Sequence, residues 1–138
     1  MARSGPYILL ADDDPDDQEM FIERFLRQNP GVHVELVDNG LRALAHLQSC
    51  APGDLPVLMV LDYKMPGLTG PEVLRSIQSD ARFRNIGKIV WSTSGHREYI
   101  DKCIGYGADV YYTKPCDLAG LYKIIDRVSE LFRARSVL

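Results

Sequence analysis

Residues Val57-Leu58-Met59-Val60-Leu61 form an unbroken apolar run that stops at Asp62, and Tyr63-Lys64-Met65-Pro66-Gly67-Leu68-Thr69-Gly70 follows at once. A run this short and this apolar suits a strand buried on both faces of a parallel sheet, and the Pro/Gly cluster ends it sharply. That feature restricts the fold most, because a sheet of this kind needs helices over both faces. Asp62 is thereby placed at the carboxyl end of a strand, the edge where open α/β sheets collect their chemistry.

The rest of the chain alternates in the same way, apolar strand-like runs followed by amphipathic helical patterns, without internal repeats or a low-complexity linker. Strands are expected near Tyr7–Ala11 (β1), Val32–Val37 (β2), Val57–Asp62 (β3), Lys88–Ser92 (β4) and Val110–Thr113 (β5). Helices are expected near Pro15–Gln28 (α1), Leu41–Gln48 (α2), Pro71–Ser79 (α3), Arg97–Gly105 (α4) and Leu118–Ala134 (α5). Five such units predict a (βα)5 doubly wound, flavodoxin-like domain with a parallel sheet of order 2-1-3-4-5. In that order β1 and β3 are neighbours at the switch point, so Asp12-Asp13 and Asp62 converge on one crevice.

A chain of 138 residues, 46% hydrophobic and 25% charged, fits one domain over residues 1–138, with its core over about 7–134. The net charge of −3 leaves no basic footprint for direct nucleic-acid binding or an anionic membrane. The run Tyr7–Ala11 is too brief for a signal-peptide core or a membrane span, which makes the cytoplasm the expected location. Cys50, Cys103 and Cys116 have neither CxxC nor Cys/His ligand spacing, and free thiols are expected.

The segment Asp12-Asp13-Asp14-Pro15-Asp16-Asp17 divides in two. Asp14 suits a helix N-cap, Pro15 the first helical position, and Asp16 and Asp17 the positive end of the helix dipole. Asp12 and Asp13 precede the cap, at the strand end. With Asp62 they would repel one another unless a cation sat between them, and a hard, oxygen-seeking ion such as Mg²⁺ is the natural choice.

Two further strand ends complete the set. β4 ends in Ser92-Thr93-Ser94-Gly95, which is either a solvated turn with a capping serine or a source of a hydroxyl and backbone N–H groups. β5 ends in Thr113-Lys114-Pro115, which brings an ammonium to the same edge, within reach of Asp62 or a phosphoryl oxygen. Carboxylate, metal, hydroxyl and ammonium together make a phosphoryl-transfer constellation.

Asp12-Asp13, Asp62 with its following Tyr-Lys-Met-Pro-Gly, Ser92 and Lys114-Pro115 resemble, in order and spacing, the signature of the receiver domain of two-component response regulators. The resemblance covers essentially the whole chain and is closest to the stand-alone, single-domain type. It implies that Asp62 accepts a phosphoryl group from a sensor histidine kinase or phosphotransfer histidine. Mg²⁺ would be held by Asp13, Asp62 and the Lys64 carbonyl, with Asp12 acting through water. Lys114 would pair with the phosphoryl group, Ser92 would turn toward it, and Tyr111 would be the switch aromatic, although a strand tyrosine is also ordinary packing. The Lys114–Pro115 peptide would be cis. The protein would be a regulatory phosphoacceptor rather than an enzyme, with Mg²⁺-dependent self-phosphorylation and self-dephosphorylation. Its output would run through the α4-β5-α5 face.

Two departures qualify the likeness. Lys64 replaces the small polar side chain common two residues after the acceptor, and this bears on acyl-phosphate lifetime. The segment Ser49–Pro56 lengthens the α2–β3 loop, as in small regulators linked to phytochrome-type kinases. No residue beyond Leu138 is left for an attached effector, so output through association, phosphate relay or competition for phosphoryl groups is expected. On α5, Leu118, Leu121, Tyr122, Ile124, Ile125, Val128, Leu131 and Phe132 occupy about half the circumference, more than a core stripe of about 100° needs. Ile124 and Leu131, at the stripe's edge, are expected to form an apolar patch for homodimerisation or partner docking. The rival readings are an aspartate-nucleophile phosphatase, which would usually carry a second Asp where Lys64 stands, and a degenerate receiver that only binds a partner. His33, His46 and His96 are scattered and read as surface or helix residues, and Trp91 as core.

Overall fold

The computed structural model describes residues 5–136; residues 1–4 and 137–138 of the expected single domain lie outside the described part. β1 (Tyr7–Ala11), β3 (Leu58–Asp62) and β4 (Gly87–Ser92) are buried at every position, and β2 (His33–Val37) and β5 (Val110–Thr113) are only partly so. The difference follows from the order β2-β1-β3-β4-β5, all parallel, in which the first three named are interior and covered on both faces. Unbroken apolar runs therefore mark β1 and β3 as central, β4 is interior although it carries the buried Lys88, and the mixed sequence His33–Val37 lies at one edge with Val110–Thr113 at the other.

Helices α1 (Pro15–Gln28) and α5 (Leu118–Ser136) cover one face. Phe21, Phe25, Leu121, Ile125, Val128 and Phe132 pack there on Ile8, Leu10, Val60, Ile89 and Trp91. Helices α2 (Gly40–Ser49), α3 (Gly70–Ile77) and α4 (Arg97–Gly105) cover the other, around Leu9, Met59, Leu61 and Val90. Alternate residues of each strand feed the two cores, as the two-residue repeat of a strand demands. Asp14 caps α1 by accepting the N–H groups of Asp16 and Asp17, and Thr69 with Glu72 forms a capping box on α3.

Helix boundaries fall within two residues of those expected. Two short 3₁₀ turns, Pro52–Asp54 and Ala81–Phe83, lie in the loops before β3 and β4 and carry no helical periodicity in sequence. On α5, Ile124 and Leu131 are half-buried and pack against the same core as Val110 and Tyr112 of β5. Leu118 is 50% exposed and Ile104 on α4 46%, so this side of the molecule carries exposed apolar surface. Cys50, Cys103 and Cys116 are free thiols.

Candidate functional site

β1 and β3 pair with Ala11 opposite Leu61, so the residues next beyond each, Asp12 and Asp62, leave the sheet side by side. Asp12, Asp13 and Asp62 each offer a carboxylate oxygen within 4.8 Å of the others. Asp12 is fully buried and Asp13 exposed, and 12% of the Asp62 side chain meets solvent. The loop after Asp62 folds back under it: the Gly70 N–H donates to the Tyr63 carbonyl at 2.9 Å. A Cβ at Gly70 would lie 2.6 Å from the Asp62 carbonyl oxygen, so a larger residue there would displace the acceptor strand.

Lys114 Nζ, itself buried, donates to Asp12 Oδ2 and Asp17 Oδ2, both at 2.8 Å, and lies 3.5 Å from Asp62 Oδ2. It also stands 4.5 Å from the centre of the Trp91 ring. The Lys114 N–H bonds to the Ser92 carbonyl at 2.6 Å, fixing the end of β5 against the end of β4. Ser92 is buried and its Oγ accepts the Ser94 N–H at 3.2 Å. Tyr111 is half-buried, and its hydroxyl donates to the Ser94 carbonyl at 2.6 Å, tying β5 to the β4–α4 loop. Tyr63, next to the acceptor, stacks on Tyr99 of α4 with centroids 4.3 Å apart. Lys64 is exposed, with Nζ 5.9 Å from the Tyr99 ring.

Burial pushes the Asp62 carboxyl up to about 7; the charges of Asp12 and Asp13 add to that, and Lys114 opposes it. Burial also raises the Asp12 carboxyl, against the pull of Lys114. Burial pulls the Lys114 ammonium down, yet the charges of Asp12 and Asp62 and its hydrogen bonds outweigh this, leaving it above its ordinary range. One ammonium thus faces more carboxylate than it neutralises. A divalent, oxygen-seeking cation fits the Asp12–Asp13–Asp62 cluster in both charge and donor type.

Asp12, Asp13, Asp62, Ser92 and Lys114 all lie at the one sheet edge expected of them, and Tyr111 lies inside β5, its hydroxyl reaching the β4–α4 loop. Ile124 and Leu131 lie apart from that edge, on α5. Two expectations need correction. The Lys114–Pro115 peptide is trans, and no cis peptide occurs among the described residues. Trans is the lower-energy isomer even before proline, by about 0.5–1 kcal/mol, and in it Lys114 already reaches Asp12, Asp17 and Ser92. Asp17 is also more than a complement to the helix dipole, because it shares Lys114 with Asp12 at equal distance. That role was missed because capping chemistry accounted for an acidic first turn; the available signal was its place in the turn that rises directly from the strand end carrying Asp12.

Residues 8–126 match the response regulator receiver domain family. The two-component response regulator ARR6 of Arabidopsis thaliana is 34% identical over 142 residues, which cover 96% of this chain and 76% of that protein. Among solved structures, the phosphorylated cyanobacterial phytochrome response regulator RcpA superposes with a TM-score of 0.86 at 27% identity, covering 95% of this chain and 96% of that one. The Mn²⁺-bound form of the response regulator Rcp1 gives a TM-score of 0.77 at 26% identity, covering 91% of this chain and 92% of that one.

Proposed function

The chain belongs to the response regulator receiver domain family, and from that membership and the geometry of its acidic edge we propose that Asp62 is the phosphoacceptor of a two-component phosphorelay. The carrying observation is the convergence of three carboxylates within 4.8 Å with an ammonium 3.5 Å from one of them. The phosphodonor is a sensor histidine kinase or phosphotransfer histidine. An Asp62 oxygen attacks phosphorus, the phosphorus–nitrogen bond of the phosphohistidine breaks, and the imidazole leaves with the electron pair. The long α2–β3 loop, together with the likeness to a phytochrome response regulator, supports a phytochrome-type kinase as the source.

Mg²⁺ would be held by Asp13, Asp62 and the Lys64 carbonyl, with Asp12 acting through water. It supplies charge neutralisation at the transferring phosphoryl oxygens. Lys114 supplies the second positive charge, and Ser92 Oγ a hydrogen bond after its loop moves. Tyr111, released from the Ser94 carbonyl, carries that movement to the α4-β5-α5 face, where Ile124 and Leu131 contribute to homodimerisation or partner docking. The protein acts as a regulatory phosphoacceptor in the cytoplasm, with Mg²⁺-dependent self-phosphorylation from phosphodonors and self-dephosphorylation. No described helix is long and apolar enough to cross a membrane. The phosphatase reading is disfavoured because Lys64 stands where a second acid would be needed and its ammonium points toward Tyr99. Incubation with Mg²⁺ and a small phosphodonor should add one acid-stable, base-labile phosphoryl group, and Asp62→Asn should abolish it. Undiminished labelling of that variant overturns the proposal.

A further inference from the structure

We propose that Asp17 is a competing anchor for Lys114: it holds the ammonium before phosphorylation and gives it up to a phosphoryl oxygen when Asp62 is modified. This inference rests on the function proposed above and names a positioning residue for it. An ammonium has three donors. Two are committed at 2.8 Å, to Asp12 and Asp17, whereas the Asp62 oxygen at 3.5 Å is beyond good hydrogen-bonding distance. Lys114 is thus held by the neighbours of the acceptor more firmly than by the acceptor itself.

The three carboxylates are not equally able to release it. Asp12 is fully buried, and its other oxygen already accepts the Asp14 N–H at 2.8 Å, so no bulk solvent is at hand to take the place of Lys114 on its second oxygen. Asp17 sits in the first turn of α1 with 16% of its side chain exposed, so water can replace the ammonium there at lower cost. Phosphorylation converts the Asp62 carboxylate into a group bearing up to about two negative charges. The gain in charge lies on the Asp62 side, and Asp17 is the partner that yields. The Trp91 ring, its centre 4.5 Å from the ammonium, is a further neighbour that favours keeping Lys114 within reach of both acids.

Asp17 therefore opposes the phosphorylated state, and neutralising it should favour that state. Beryllium trifluoride, a phosphoryl mimic, provides the probe, with binding at saturating Mg²⁺ followed by fluorine NMR. Asp17→Asn should tighten binding about three- to tenfold, in keeping with the exchange of a charged acceptor for a neutral one that competes less strongly for the ammonium. Asp17→Ser, another short polar side chain, repeats the measurement should the asparagine disturb α1. In a Lys114→Met background the same change should have no effect, because a role exerted through Lys114 disappears with it. Unchanged or weaker binding in Asp17→Asn, or an equal gain in the Lys114→Met background, overturns the proposal. A wild-type protein that binds no beryllium trifluoride overturns the receiver function and this inference together, whereas a responsive wild type with an unresponsive variant overturns this inference alone.

Discussion

Replacing Asp62 by asparagine should make the metal-free protein more stable at pH 8, although it removes the group on which the proposed function depends. The unfolded carboxyl titrates near 3.8 and the folded one near 7, mainly through burial and secondarily through the Asp12 and Asp13 charges. A carboxyl whose folded pKa lies above its unfolded value contributes stability that is complete below about pH 4 and is lost as pH rises through about 7. At about 1.36 kcal/mol per pH unit, ionising Asp62 in the folded state at pH 8 costs at most about 4 kcal/mol. Water reaching the 12% of the side chain left exposed lowers the realised cost; about 1–3 kcal/mol is expected. Asparagine is neutral throughout, and Lys114 retains Asp12 and Asp17. In EDTA, Asp62→Asn should therefore raise Tm by roughly 3–12 °C at pH 8, with a gain that shrinks toward zero near pH 4. Added Mg²⁺ should stabilise the wild type at pH 8 and narrow the gap, since a ligand of the folded state alone raises its stability. Thermal denaturation at a series of pH values, with and without metal, is the assay. A variant less stable than wild type at pH 8 in EDTA, or a difference that does not vary with pH, would show that ionised Asp62 does not strain the metal-free fold.

Lys114→Met should destabilise the metal-free protein by about 3–5 kcal/mol at neutral pH in urea denaturation, because Asp12 keeps a buried charge without a counterion; an unchanged midpoint contradicts the pairing. Tyr111→Phe should cost about 1 kcal/mol through loss of the 2.6 Å bond to the Ser94 carbonyl, and an equally stable variant would show that this bond contributes nothing. Ile124→Asp combined with Leu131→Asp should leave Asp62 phosphorylation intact and abolish a phosphorylation-dependent homodimer in sedimentation. A wild type that stays monomeric in both phosphorylation states at high concentration removes the dimer and leaves docking to another protein.

The sheet order was legible through the five alternating strand–helix units, whose right-handed crossovers leave few topologies, and the interior place of β3 through Val57–Leu61, apolar at every position. Asp12, Asp62, Ser92 and Lys114 were legible because each is the polar residue that ends such a run or lies just past it, and parallel strands place all such ends together. What stayed hidden depends on side-chain reach rather than chain position. Asp17 fulfils a helix-dipole role and an ion-pair role at once, and sequence displays only the first. Trp91 was legible as core, but the ammonium over its ring was not, because strand alternation does not say how far Lys114 extends. The proline after Lys114 signals a special peptide only through the family likeness, and here the bond is trans.

The most direct test of the central claim is to locate the phosphoryl group. Protein treated with a phosphodonor and Mg²⁺ is trapped with borohydride, which reduces an aspartyl phosphate to homoserine, and its peptides are mapped by mass spectrometry. Homoserine should appear at position 62 alone, dependent on Mg²⁺; homoserine at Asp12 or Asp13, or phosphate retained on His33, His46 or His96 with Asp62 unmodified, would contradict Asp62 as the phosphoacceptor.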